Sequence, residues 1–181
     1  MDNFSCFKCP ELVRSRSQIV FGKKYNDYDI FIIGEAPGIN EDKLGIPFIG
    51  KSGKILLDEL TKNNILNYYI TNIVKCRPEK NRDPTFQEIS NCKPYLVAEI
   101  LTHNPKILFT LGRKSTEAVY NLFGLKFDNI SVESGKINEI IFKNNKLLVF
   151  PTYHPASTIF NKKFRAKFKE DIKKLSNIAG I

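Results

Sequence analysis

No apolar run in this 181-residue chain approaches the roughly 20 residues that a bilayer-spanning helix needs, which excludes a membrane helix from the expectation. The opening residues, Met1-Asp2-Asn3-Phe4-Ser5-Cys6, lack the basic-then-apolar pattern of a secretory signal, so an intracellular protein is expected. Repeats, low-complexity tracts and linker-like stretches are missing too, which argues against a solenoid or a string of modules. The length suits one α/β domain with a buried core and is short for two. Histidine occurs only twice, at His103 and His154.

What is present is a basic balance. Lys and Arg number 28 against 19 Asp and Glu, a formal net charge of +9. Such an excess favours a polyanionic partner, nucleic acid being the commonest, although AT-rich coding also enriches lysine. Apolar residues make up 42%, enough for burial to offset chain entropy. The four cysteines, Cys6, Cys9, Cys76 and Cys92, point in an intracellular setting to metal binding or catalysis rather than disulfides.

Residues 28–34 form a β-rich apolar run that stops at glycine, as a buried parallel strand does. A helical face follows over 53–62, a second strand over 68–74, and a helix over 84–102 that Pro94 should end or kink near Lys93. A third strand, 106–111, stops at Gly112, with Ser115 as the N-cap of a helix through Leu122. A hairpin is expected from 137–142 and 147–150 about an Asn144-Asn145 turn, and a basic amphipathic helix over 163–175 closes the chain. Strands alternating with helices imply an α/β fold, a three-layer α/β/α sandwich on a central, mostly parallel four-stranded sheet. Ligands in such sheets bind beyond the carboxyl ends of the strands, where Glu35, Asn72, Gly112 and His154 all fall.

Four segments carry chemistry. Gly34-Glu35-Ala36-Pro37-Gly38 describes a tight loop after a strand, able to turn backbone N–H groups and an acid toward a ligand, or simply to make an ordinary turn. Asn72 presents both a donor and an acceptor at a strand end, suited to the edge of a base or to capping the next turn. His154 precedes Pro155 in an extended segment and either aims into a crevice or serves the structure. The cysteines form one close pair, Cys6 and Cys9, and two singles. Structural zinc more often uses two close pairs, so the pattern tilts toward an iron–sulfur cluster, with unligated thiols as the alternative.

In order and spacing these segments resemble the iron–sulfur uracil-DNA glycosylases called family 4. The resemblance runs through Cys6-Phe7-Lys8-Cys9, GEAPG at 34–38, Glu41-Asp42 with GIPFIG at 45–50, TNIVKCRP at 71–78, Asn81-Arg82, Cys92, LGR at 111–113 and YHPA at 153–156. Ser52 stands where the family commonly has Ala, and tryptophan is absent. Glu35 separates the chain from a related group with an apolar residue there. No basic, His-containing insertion of the DNA-crosslinking relatives follows the loop, so a hydrolytic enzyme is implied.

The resemblance implies removal of uracil from single- or double-stranded DNA by hydrolysis of the N-glycosidic bond of a flipped-out deoxyuridine, leaving an abasic site for base excision repair. Gly34 and Ala36 would line the substrate pocket, Phe48 would stack on the uracil, and Asn72 would read its O4 and N3–H. His154 would donate toward O2 as the base departs, while Glu35 would orient water or stabilise the sugar cation. Gly50, Lys51, Ser52 and Gly53 open a helix suited to a phosphate. Ser157 and Thr158 would touch phosphates, Ile159 or Phe160 would wedge the duplex, and Lys162, Lys163 and Arg165 would grip its backbone. A 4Fe-4S cluster on Cys6, Cys9, Cys76 and Cys92 would tie the N-terminal tail to a single domain spanning 1–181. A monomer in the cytoplasm is expected, with contact to a replication clamp left open. Competing expectations are a non-catalytic or covalently trapping protein of the same fold, and an unrelated zinc-bound nucleic-acid module.

Overall fold

The computed structural model describes residues 6–181. Three five-residue segments, β2 (Ile30–Gly34), β3 (Tyr68–Asn72) and β4 (Ile107–Leu111), are buried at every position, the pattern of strands covered on both faces. With β1 (Lys23–Tyr25), β5 (Asn138–Phe142) and β6 (Asn145–Thr152) they form one sheet in the order β1-β3-β2-β4-β6-β5. Strands β3, β2, β4 and β6 run parallel, and β1 and β5 pair antiparallel at the two edges. The expected four-stranded sheet is therefore the parallel centre of a six-stranded one. The added edge strand β1 is a three-residue Lys-Lys-Tyr segment with no apolar alternation to mark it.

Alternate residues of a strand point to opposite faces, and each face here has its own core. Phe31 and Ile33 pack with Leu96 and Ile100 of α4 (Phe86–His103) and Val119 and Tyr120 of α5 (Arg113–Phe123). Ile30 and Ile32 pack with Leu56 and Leu60 of α3 (Lys51–Lys62) and Phe168, Ile172 and Leu175 of α7 (Lys162–Ala179). The result is the three-layer arrangement. Shorter helices, α1 (Pro10–Ser15), α2 (Ile39–Leu44) and α6 (Ile130–Glu133), lie in the connections. Among the described residues no helix is long and apolar enough to cross a membrane.

Two local expectations are corrected and a third is narrowed. Helix α4 continues through Pro94, because Pro94 and Ser90, whose carbonyl loses its partner, are both exposed and water can take the freed acceptor. The N-cap of α5 is Gly112 rather than Ser115, whose buried hydroxyl instead donates back to the Leu111 carbonyl at 2.6 Å. The hairpin turns at Lys143 and Asn144, both at positive φ (49° and 63°), so Asn145 already belongs to β6.

Candidate active site

Loops from the carboxyl ends of β2, β3 and β6 enclose a cleft of about 620 Å³. Its walls carry Glu35, Ala36, Phe48, Asn72 and His154 together, and its rim carries Gly50, Lys51, Ser52 and Ile159. The convergence rests on close packing at Gly34. A Cβ at that position would lie 2.4 Å from the Phe48 ring and 2.5 Å from Asn72 Oδ1, so only glycine lets both side chains reach the same wall. Phe48 itself sits at φ 59°, a left-handed conformation that costs a bulky residue about 1–3 kcal/mol and that clusters at functional positions. Among the described residues no protein group hydrogen-bonds the amide of Asn72, although the residue is buried. Its donor and its acceptor are both free to meet a ligand.

Burial raises the carboxyl pKa of Glu35 above the ordinary range. Asp83 adds to the rise, and Lys114 and Arg113 oppose it. His154 is the reverse case, because burial pushes its imidazole down to about 4. Its Nδ1 accepts the backbone N–H of Ala156 at 3.2 Å, which leaves the proton of the neutral ring on Nε2. Gly112, at φ 85°, lies so close that a Cβ would come within 2.8 Å of His154 Cβ. This glycine, expected from the sequence at a ligand-binding strand end but given no role there, thus sets the seat of the histidine.

Glu41 has a part that its position in the sequence did not reveal. Its buried carboxylate accepts the Gly50 N–H at 2.7 Å and so fastens α2 to the start of α3. Asp42 accepts the Ser17 N–H at 2.9 Å and ties the N-terminal segment to the same loop.

The remaining candidates lie beside the cleft. Gly53 is buried in the first turn of α3. Ser157 donates its hydroxyl to the His154 carbonyl at 2.7 Å, and the buried Thr158 hydroxyl donates to the Pro155 carbonyl at 2.7 Å, so both hydroxyls brace the three-ten turn Pro155–Thr158. Ile159 is partly exposed and Phe160 is 95% exposed at the tip that follows. Arg165 donates to the Thr158 and Ile159 carbonyls at 3.0 and 2.9 Å, which stiffens that tip. Lys162 and Lys163 stand exposed on the first turn of α7.

Cys76 and Cys92 are buried and Cys6 and Cys9 half-buried, all as free thiols. Cys6, Cys76 and Cys92 share the wall of one small cavity with Tyr95. Among the described residues no three candidate ligands close on one point as they would around a single ion. Donors nevertheless face the sulfurs: Arg16 Nη1 at 2.9 Å from Cys76 Sγ, Asn91 Nδ2 at 3.4 Å from Cys9 Sγ, and the Lys75 N–H at 3.4 Å from Cys92 Sγ.

The family model for the uracil DNA glycosylase superfamily matches residues 22–176. A type-4 uracil-DNA glycosylase of Sulfurisphaera tokodaii is 43% identical over 97% of this chain and 80% of its own length. The type-4 enzyme of Archaeoglobus fulgidus is 37% identical over 97% of this chain and 89% of its own. That of Saccharolobus solfataricus is 41% identical over 94% of this chain and 80% of its own.

Proposed function

This chain belongs to the uracil-DNA glycosylase superfamily, and on that premise we infer that it removes uracil from DNA by hydrolysing the N-glycosidic bond of a flipped-out deoxyuridine. The observation that carries the residue roles is the gathering of Glu35, Phe48, Asn72 and His154 around one cleft at the strand ends. The bond lies inside a stacked duplex, so the nucleotide must leave the stack to reach them.

Phe48 offers the extruded ring an aromatic face, which holds any base. Selection falls to Asn72, whose unengaged amide pairs with O4 and N3–H of uracil. Cytosine presents the opposite pattern and would leave buried polar groups unpaired. Bond breaking builds negative charge on the uracil and positive charge on the sugar. The neutral His154 directs its Nε2–H at the oxygen where the negative charge collects, and needs no proton from solvent to do so. Glu35 faces the sugar side as the group that stabilises the cation or orients the attacking water. Lys51 and Ser52 at the start of α3 and Lys162 and Lys163 at the start of α7 take phosphates, and Ile159 with Phe160 fills the gap left by the base. A complete set of these groups within one chain supports a monomer. A cytoplasmic location, and any replication-clamp contact, are part of the same proposal.

Cys6, Cys9, Cys76 and Cys92 would hold a 4Fe-4S cluster. The donors aimed at three of their sulfurs fit thiolate ligands. When bound, the cluster supplies a cross-link between the N-terminal segment and the body rather than redox chemistry. Incubation of anaerobically purified protein with a uracil-containing oligonucleotide tests the whole. Alkali-labile strands and free uracil are expected. A denaturant-resistant adduct would mean covalent trapping, and no reaction would mean a damage sensor.

A further inference from the structure

Lys75 lies within the TNIVKCRP segment, three residues beyond Asn72, and is 1% exposed. Its Nζ donates to Asn72 O at 2.7 Å, to Thr71 Oγ1 at 2.6 Å and to Glu99 Oε2 of α4 at 2.6 Å. An ammonium has three donors, and all three are used. The Glu99 carboxylate accepts in turn from the Tyr69 hydroxyl and the Gly22 N–H, both at 3.2 Å, and from Thr71 Oγ1 at 3.0 Å.

We propose that Lys75, with Glu99 as its counter-ion, is the positioning residue that fixes the base-reading amide of Asn72. The inference rests on the assignment of Asn72 as the uracil reader. Asn72 ends β3, and the chain beyond it turns across the strand end, with the Ile73 and Val74 N–H groups donating to the Gly34 and Glu35 carbonyls. The Asn72 carbonyl thus lies where the ladder stops, and the ammonium holds it. No protein hydrogen bond restrains the Asn72 side chain among the described residues, so the setting of its backbone, with its packing over Gly34, decides where the amide points. Stability alone is weak ground for the pair, since buried ion pairs can often be exchanged for neutral groups of similar volume without loss. Position does account for it, because a displacement of about 1 Å in a binding group can cost on the order of 10²-fold in rate.

The test compares the parent protein, Asn72→Ala and Lys75→Met/Glu99→Gln, using free uracil as the probe, with thermal melting and visible absorbance as controls. The double substitution removes both buried charges together, so no charge is stranded. It is expected to melt near the parent, to keep its visible absorbance and to bind free uracil about tenfold more weakly, the size of one lost buried hydrogen bond. KM for a uracil oligonucleotide should rise with it, whereas a purely structural role would lower the melting temperature and leave the affinity of the folded protein unchanged. If the double variant does not fold, Thr71→Val, which removes one anchor of the ammonium, carries the same comparison with an expected weakening of about threefold. Parental uracil affinity in the folded variant, with Asn72→Ala weakened, overturns the role of Lys75 alone. Unchanged affinity in Asn72→Ala overturns the assignment of Asn72 as well.

Discussion

The backbone N–H of Ala156 donates to Nδ1 of His154 at 3.2 Å, and that single contact decides which ring nitrogen carries the proton. Burial holds the ring neutral down to about pH 4, well below the 6.5 of a free histidine. An unfolded chain therefore takes up a proton between these values while the folded one does not, so stability falls as pH drops from about 6.5 toward 4. His154→Gln should lose that part of the slope. Denaturant midpoints measured at pH 7 and pH 4.5 should shift in favour of the variant at the lower pH. Its turnover should fall by about 10²–10³-fold, the scale for loss of one donor to a developing anion. Parental turnover would remove His154 from the chemistry.

Glu35 faces the opposite pressure. Burial raises its pKa, Asp83 raises it further, and Lys114 and Arg113 pull it down. If the carboxylate is the working form, the acidic limb of kcat/KM lies above the ordinary carboxylate range. Glu35→Gln should abolish that limb and lower kcat by about 10²-fold or more. Asp83→Asn should move the limb to lower pH, because it removes a like charge and one of the two carboxylates, Asp83 at 3.5 Å and Glu117 at 3.9 Å, that offset the Arg113 charge near Glu35. A limb that stays in place in both variants would assign it to another group.

The parts of the molecule that could be read from the sequence are those whose signal is continuous along the chain. Strands β2, β3 and β4 are mostly apolar runs that end in, or just before, glycine or a polar residue, and each lies within two residues of its expected bounds. Strand β1 escaped because an edge strand of Lys-Lys-Tyr carries no periodicity and exists only through its pairing with β3. Whether Pro94 ends its helix could not be read in advance, because its cost depends on whether Ser90 meets water, which is a property of the fold. In the site, Glu35, Asn72 and His154 could be named because each ends or follows a strand. The roles of Glu41 and Lys75 could not, since their partners Gly50 and Glu99 come from other elements and become neighbours only after folding.

Asn72→Asp tests the reading of the base edge. The amide offers both a donor and an acceptor, whereas a carboxyl in the same buried place offers a donor only when protonated. Selectivity for uracil over cytosine, measured as the ratio of kcat/KM on matched oligonucleotides, should fall by about tenfold or more, mainly through lost uracil activity. A ratio equal to the parent's would place base selection elsewhere.

Lys162 and Lys163 project from the first turn of α7, where the helix N-terminus adds to their positive potential. Each phosphate they neutralise releases counterions. Lys162→Ala/Lys163→Ala should therefore weaken DNA binding alike across sequence contexts and flatten the plot of log affinity against log salt by about two units of slope. Fluorescence anisotropy across a salt series checks this. A parental slope would mean that the two lysines form a solvated helix face.

At Cys76 the N-terminal segment meets the loop that follows β3, because Arg16 donates from Nη1 to Cys76 Sγ at 2.9 Å and from Nη2 to the Cys6 carbonyl at 2.8 Å. Cys76→Ala would remove a cluster ligand and the acceptor for Arg16 together. If a cluster joins Cys6 and Cys9 to Cys76 and Cys92, breaking it frees a long loop. By analogy with cross-links, this should cost about 2–4 kcal/mol. The expected protein is colourless, holds little iron and melts well below the parent, as visible absorbance, iron analysis and thermal melting would show. Arg16→Met serves as the control, since it loses the hydrogen bonds but keeps all four thiols and should retain colour. A Cys76→Ala protein that is free of iron yet melts with the parent would mean that the cysteines do not staple the fold.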